Sequence, residues 1–406
     1  MNAPTNGSSC GSRDWQERAV RDCLLPFEIE VGKKVFARDY KTNGKFPIVD
    51  QGQSLVAGYT DNKSAVIADG PPVVVFGDHT RVFKFVDFPF VIGADGTKLL
   101  KPIPELDPKF FYFACLALDI PSRGYNRHFK ILREQSLRYP EKSEQEKIAA
   151  VLWKIQRAVE IEDAIVRNAR DLKKSLLRYL FTHGLRGEPV KETEIGPVPE
   201  SWVDVKIGGL GQIVTGTTPP TANRGFYDDG KFQFIAPADL GQTTFIYRAE
   251  KKITEKGLDV SRVLPRHAVC FVCIGSSVGK VGVTIDEVSA TNQQINSVIV
   301  NGEHDALFVG YLFAFKSNYI ASFTSPSPVP ILSKGKFEEI RIFVSPDKGE
   351  QREIADVLQH VDRKIEIHES KKRSLRDLFK TTLHKLMSAQ ICVKDLDIDT
   401  SEVEAA

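Results

Sequence analysis

The chain has 406 residues, 42% of them hydrophobic and 27% charged, which suits two or more globular cores rather than a disordered or fibrous protein. Its 55 Lys and Arg against 53 Asp and Glu leave a net charge of only +2, so any affinity for nucleic acid must come from local clusters or from a partner. No apolar run reaches the roughly 18 residues that a membrane helix needs, and six unpatterned cysteines point to a reducing, cytoplasmic setting rather than a disulfide framework.

Residues 1–12, "MNAPTNGSSCGS", are small and polar, without the apolar segment of a signal peptide, and read as a flexible tail. A first block over 13–142 is rich in β-branched and aromatic runs broken by turn residues. "PPVVVFGDHTRVFKFVDFPFVIGADGTKLL" (71–100) holds three such runs, "PKFFYFACLAL" (108–118) reads as a helix, and the polar loop "PSRGYNRHFK" (121–130) leads to a last strand. A long helix over 143–184 follows, opened by Ser143 and Glu146 as a capping box and closed by Gly184. Residues 185–200 are a Gly/Pro-rich charged linker. The second block, 201–346, repeats the order: strand runs in "HAVCFVCIGSSVGKVGVTI" (267–285) and "INSVIV" (295–300), a helix over 306–315, and a polar loop "TSPSPVPILSKGKF" (324–337) before a last strand. A second long helix spans 347–391, and 392–406 is an acidic flexible tail.

The two long helices are nearly the same text. Residues 144–181 laid on 350–387 without gaps give sixteen identities in 38 positions, which duplication explains and chance does not. Ile148, Leu152, Ile155 and Val159 in one copy, and Ile354, Leu358, Val361 and Ile365 in the other, form a narrow apolar stripe at spacings of three and four, the seam of a coiled coil. A helix of 38 residues is about 57 Å long at about 1.5 Å per residue and needs a partner along its length. The other copy, related by a pseudo-two-fold axis, is that partner, so the helices are expected to run antiparallel. The predicted fold is α/β (α+β): two mostly-β domains separated by two long helices in an antiparallel coiled coil, an internal repeat.

Several stretches together resemble the specificity subunits of type I restriction–modification systems. They are "SEQEKIAAVL" and "GEQREIADVL" opening the helices, "GKFEEIRIFVSP" before the second, "TEIGPVPESW" in the linker, "GTTPPT", "FIAPADL", "VVVFGDHT" and "TNQQIN". The match covers almost the whole chain. The resemblance implies two target recognition domains (13–142 and 201–346) held by spacer helices. It also implies double-stranded DNA and two methyltransferase subunits as partners and, where the system restricts, a restriction/translocase subunit. S-adenosylmethionine is expected on the partner methyltransferase and no cofactor on this chain, which supplies address and not catalysis.

Two divergent readers on one duplicated frame suit an asymmetric bipartite target. Base reading asks for groove donors and acceptors: Arg for guanine, Asn and Gln for adenine. In the first block Arg123, Tyr125, Asn126, Arg127, His128 and Lys130 form the best cluster. In the second the candidates are Ser276, Ser277 and Lys280, then Asn292, Gln293 and Gln294, then Ser333, Lys334 and Lys336. Other motifs fail. "GSSVGKV" (275–281) has three residues between its glycines and Val281 after the lysine, which a phosphate loop does not allow. Cys270 and Cys273 lack a second ligand pair, so they read as strand residues and no metal is expected. The competing readings are a coiled-coil scaffold or adaptor that binds other proteins, to which the near-neutral charge is friendliest, and an enzyme with an unfamiliar site.

Overall fold

The computed structural model describes residues 15–26, 34–67, 70–122, 124, 126–326 and 328–401. Its helices are α1 (Pro108–Ala117), α2 (Phe129–Glu134), α3 (Lys142–His183), α4 (Glu255–Asp259), α5 (Ala306–Phe315), α6 (Ser317–Ala321), α7 (Lys334–Glu339) and α8 (Lys348–Met387). The chain divides into two compact units, 1–163 with 370–406, and 164–369. This cuts across the expected sequence of block, helix, block, helix: each unit takes one body and half of each long helix. Antiparallel pairing is the reason, because it lays the last half of α8 along the first half of α3.

The contacts within each unit fix that sense. In the second unit Glu350, near the start of α8, accepts from the amide of Leu185 just beyond α3 (3.1 Å), and Asp362 and Glu369 meet Lys173 and Arg170 (both 2.5 Å). In the first, Glu144, near the start of α3, faces the Cys392 thiol just beyond α8 (3.6 Å), and Glu162 meets Lys371 (2.5 Å). Glu144 and Glu350 stand 206 residues apart, at matching places in the repeat.

A second pair of matching residues ties each helix to its body. Gln145 and Gln351 are both almost fully buried. Gln145 Oε1 accepts the amide of Asp107 (2.9 Å) and its Nε2 donates to Pro140 O (2.9 Å). Gln351 Oε1 accepts the amide of Asp305 (2.7 Å) and its Nε2 donates to Ser345 O (2.8 Å). Asp107 and Asp305 in turn cap α1 and α5 by accepting the amides of Phe110 and Phe308. One glutamine thus satisfies groups that burial would leave without water.

The seam residues do more than join the helices. Ile148 and Leu152 pack with Leu386 into the first body's core around Phe76, Phe110, Phe111, Phe113 and Tyr139. Ile354 and Leu358 pack into the second body's core around Phe181, Trp202, Phe271, Phe308 and Phe337. Ile155, Val159, Val361 and Ile365 are half-buried. The pure two-helix seam is therefore corrected at its ends, where each helix buries its stripe against a body because a body offers more apolar area than one neighbouring helix.

Other expectations change in detail. Residues 71–100 form four strands, 73–77, 83–86, 90–93 and 97–100, not three. Both polar loops contain a short helix, α2 and α7. Ser143 does not cap α3: its hydroxyl lies 3.4 Å from the Glu141 carboxylate, and the helix begins at Lys142. Gly184 closes α3 in the left-handed region, φ 69°. The second helix stops at Met387, four residues short of 391. Ala389 turns to φ 56°, and the amides of Ala389 and Gln390 bond back to Leu386 and Lys385. The tail is not wholly loose, since Val393 is buried in the first core and Lys147 donates to Lys394 O. The expected N-terminal tail, 1–12, lies outside the described residues.

Each body begins and ends on one antiparallel ladder, 16–19 with 136–139 and 203–206 with 341–344. Between them the first body carries a five-stranded and a three-stranded sheet, and the second a five-stranded and a four-stranded sheet. The second body's larger sheet runs in the order 211–215, 295–300, 269–272, 281–284, 245–246.

Candidate nucleic-acid interface

In the second unit three separate candidate stretches meet at one sheet end. The strand 269–272 is fully buried and delivers Cys273 to that end. Cys273 then bonds both neighbours: its amide to Gln294 O (2.7 Å) and its carbonyl to the amide of Leu332 (2.8 Å). Gly275 and Gly279, both at φ 94°, let the chain turn through Ser276 and Ser277 where a Cβ would be strained. Asn292 shapes the next turn, accepting the Gln294 amide (3.1 Å) and donating to its Oε1 (2.9 Å). Gln293 is exposed and accepts from the Thr218 hydroxyl. Ser333 caps α7 through the Lys336 amide, Lys334 lies 3.5 Å from Glu338, and both lysines are exposed. The result is a contiguous rim of hydroxyls, carboxamides and ammonium groups, the donor and acceptor set that groove reading uses.

Lys280 does not join it. Its ammonium points to Pro237 O (3.3 Å) and lines, with Lys173, a cavity of about 400 Å³ beside α5 and α6. Cys270 and Cys273 are structural: burial pushes both thiols up to about 12, so neither offers a thiolate. Among the described residues no group of three or more His, Cys, Asp or Glu is placed to hold a metal.

In the first unit Asn126 and Arg127 are exposed ahead of α2, and Lys130 is exposed on it. His128 is corrected: it is fully buried, with its amide and Nδ1 both at Asp78 O (2.9 and 3.0 Å), so it anchors the loop and offers nothing to a groove. The Asp78 carboxylate accepts the Phe129 amide (2.7 Å), which pins the loop to the turn after strand 73–77. Arg123 and Tyr125 lie outside the described residues. The sequence pattern did not single out the exposed Arg38, Lys45 and Lys63, nor exposed Phe36, over whose ring Arg38 sits at 5.4 Å. The run "KKVFARDYKTNGKF" was the available signal. Thr218 also went unchosen, although it stands in the "GTTPPT" stretch.

The model of the type I restriction modification DNA specificity domain matches residues 12–168 and again 199–376. The chain belongs to the type I restriction–modification specificity subunits. In this specificity subunit each matched stretch contains one body and most of the long helix that follows it, so the family's domain and the internal repeat coincide. The MjaIX specificity subunit of Methanocaldococcus jannaschii is 31% identical over 183 residues, 43% of this chain and 41% of that protein, so the chain spans less than half of that relative's length. The EcoR124I/EcoR124II specificity subunit of Escherichia coli is 24% identical over 374 residues, 85% of this chain and 89% of the other. The crystal structure of the type I S subunit from M. genitalium shares the fold, with a TM-score of 0.66 at 16% identity over 95% of this chain and 98% of the other.

Proposed function

We propose that this specificity subunit addresses a type I restriction–modification complex to an asymmetric, bipartite DNA sequence and carries no catalytic step itself. One body reads each half of the target. The observation that carries this is the duplicated frame bearing unlike rims: Asn126, Arg127 and Lys130 in one unit, Ser276, Ser277, Asn292, Gln293, Gln294, Ser333, Lys334 and Lys336 in the other. Different donors and acceptors select different bases, while the exposed lysines of the first unit suit phosphates, which position without specifying.

In the same reading the paired helices set the interval between the half-sites and dock two methyltransferase subunits, which bring S-adenosylmethionine and the methyl transfer. Ile161 and Ile367, and Leu172 and Leu378, support equivalent docking: the repeat keeps the same large apolar residue at the same exposed positions of both helices.

The test is to co-express the chain with a methyltransferase partner and map methylated adenines. A bipartite motif that disappears with this chain supports the reading; an unchanged methylome would favour the adaptor, to which the net charge of +2 is friendliest. Deleting four residues from the middle of α3 should shift or abolish recognition, and unchanged methylation at the original spacing would refute the ruler.

A further inference from the structure

The rim of the second unit carries an apolar element that its polar residues do not explain. Phe323, Val329 and Ile331 are exposed, by 40%, 53% and 43%. They flank and end the stretch "SPSPVPI", where Pro326, Pro328 and Pro330 alternate with other residues. Each proline fixes φ near −65°, and Val and Ile are stiff at χ1, so much of the entropy of ordering this arm is already lost before any ligand arrives. One end is tied to the rim, and the other end is tied to the first. Gly275 donates to Pro330 O (3.0 Å), Ile331 pairs with Ile274 in an antiparallel bridge, and Ser325 donates to Ile331 O (2.9 Å). Val329 and Ile331 therefore stand beside Ser276, Gln294 and Ser333, with their aliphatic groups partly in water.

Val329 and Ile331 each leave about half of their surface in water, an apolar area that the fold itself does not use. Among base edges one group in the major groove is aliphatic, the C5-methyl of thymine, and aliphatic side chains read it by contact. We propose that Val329 and Ile331 read a thymine methyl in the half-site of the second unit, next to bases read by the polar rim. The first unit's equivalent loop, "PSRGYNRHFK", has no such aliphatic pair, so the dependence belongs to one half-site only. This rests on the proposed DNA-reading function.

The test uses the full chain in complex with its methyltransferase and a duplex bearing its mapped target. Each thymine of both half-sites is replaced in turn by deoxyuridine, which removes only the methyl. Wild type should lose about fourfold in affinity at one thymine of one half-site, the worth of one buried methyl group. Val329→Ala and Ile331→Ala should bind the thymine duplex more weakly and lose most of the thymine-to-uracil difference there, while still responding normally to changes in the other half-site. That retained response shows that the variants are folded. A flat uracil scan in wild type, or a thymine preference that survives both substitutions, overturns the proposal while leaving the DNA-reading function standing. A complex that shows no sequence preference at all overturns both.

Discussion

Where the long helices meet a body, one matched set of positions carries opposite chemistry in the two units. In the first unit the junction is aromatic: Trp153 of α3 and Phe379 of α8 close on Phe85 and Phe113, with ring centroids 5.5 to 6.4 Å apart. In the second the matching positions are polar, although Phe181 of α3 also packs on Trp202, Phe308 and Phe315 nearby. Asp362 of α8 accepts Lys173 of α3 (2.5 Å) and the Tyr311 hydroxyl (2.8 Å), Lys173 also donates to Thr244 (2.7 Å), and Tyr247 donates to Glu366 (2.9 Å). The positions correspond: Phe379 stands 206 residues after Lys173, and Asp362 as far after Gln156. The frame tolerates either solution, because the glutamine ties and the aspartate caps already hold the backbone in place. The solutions differ in selectivity. Aromatic faces stack in many orientations, whereas a shielded cation, carboxylate and hydroxyl satisfy one another in one alignment.

That contrast can be broken most severely at Asp362. Asp362→Leu strands a largely shielded ammonium and a buried hydroxyl, and should cost the second unit about 3–5 kcal/mol. Urea unfolding followed by hydrogen exchange in α5 measures it, and adding Lys173→Met and Tyr311→Phe should recover most of the loss. Phe379→Lys places the same cation in the first unit without its carboxylate. About 2–3 kcal/mol should be lost, less than for a fully buried charge because the site is half-exposed, and Gln156→Asp should restore part of it. The ties should behave alike where the junctions do not: Gln145→Ala and Gln351→Ala should each cost about 1–3 kcal/mol, and unequal costs would show that the symmetry is only geometric. Asp107→Ala and Asp305→Ala should each remove about 1 kcal/mol as helix caps.

High pH gives the gentlest probe. Burial pushes the Tyr112 hydroxyl from 10.0 up to about 12. Burial and the Asp362 carboxylate push Tyr311 up as well. A raised folded value means that the folded chain keeps a proton which the unfolded chain releases. The stabilisation is complete below pH 10 and is lost progressively from there toward pH 12. Tyr112→Phe should flatten that decline in the first unit, as read by alkaline unfolding.

The long helices were legible because a stripe of period 3.6 sustained over 38 positions, and written twice, leaves no competing structure. α1 and α5 were legible for a related reason: unbroken apolar runs each preceded by an aspartate. The short helices α2 and α7 were not. Six residues carry too little periodicity, and what fixes them is a buried contact such as Asp78 with Phe129, or a single cap such as Ser333. His128 looked like a groove donor because residue type records chemistry but not burial.

The sequence alone determined that there are two copies of one plan, that their helices seek partners, and that the rims between strands are polar and unlike. These follow from local pattern, which the chain carries without folding. Only the tertiary structure decided that each compact unit takes half of both helices, that Lys280 turns from the rim while Thr218 enters it, and that matched positions at the two helix junctions hold an ionic cluster in one unit and aromatic rings in the other. Those outcomes depend on which groups are deprived of water together, and that is set by segments up to about two hundred residues apart in the chain.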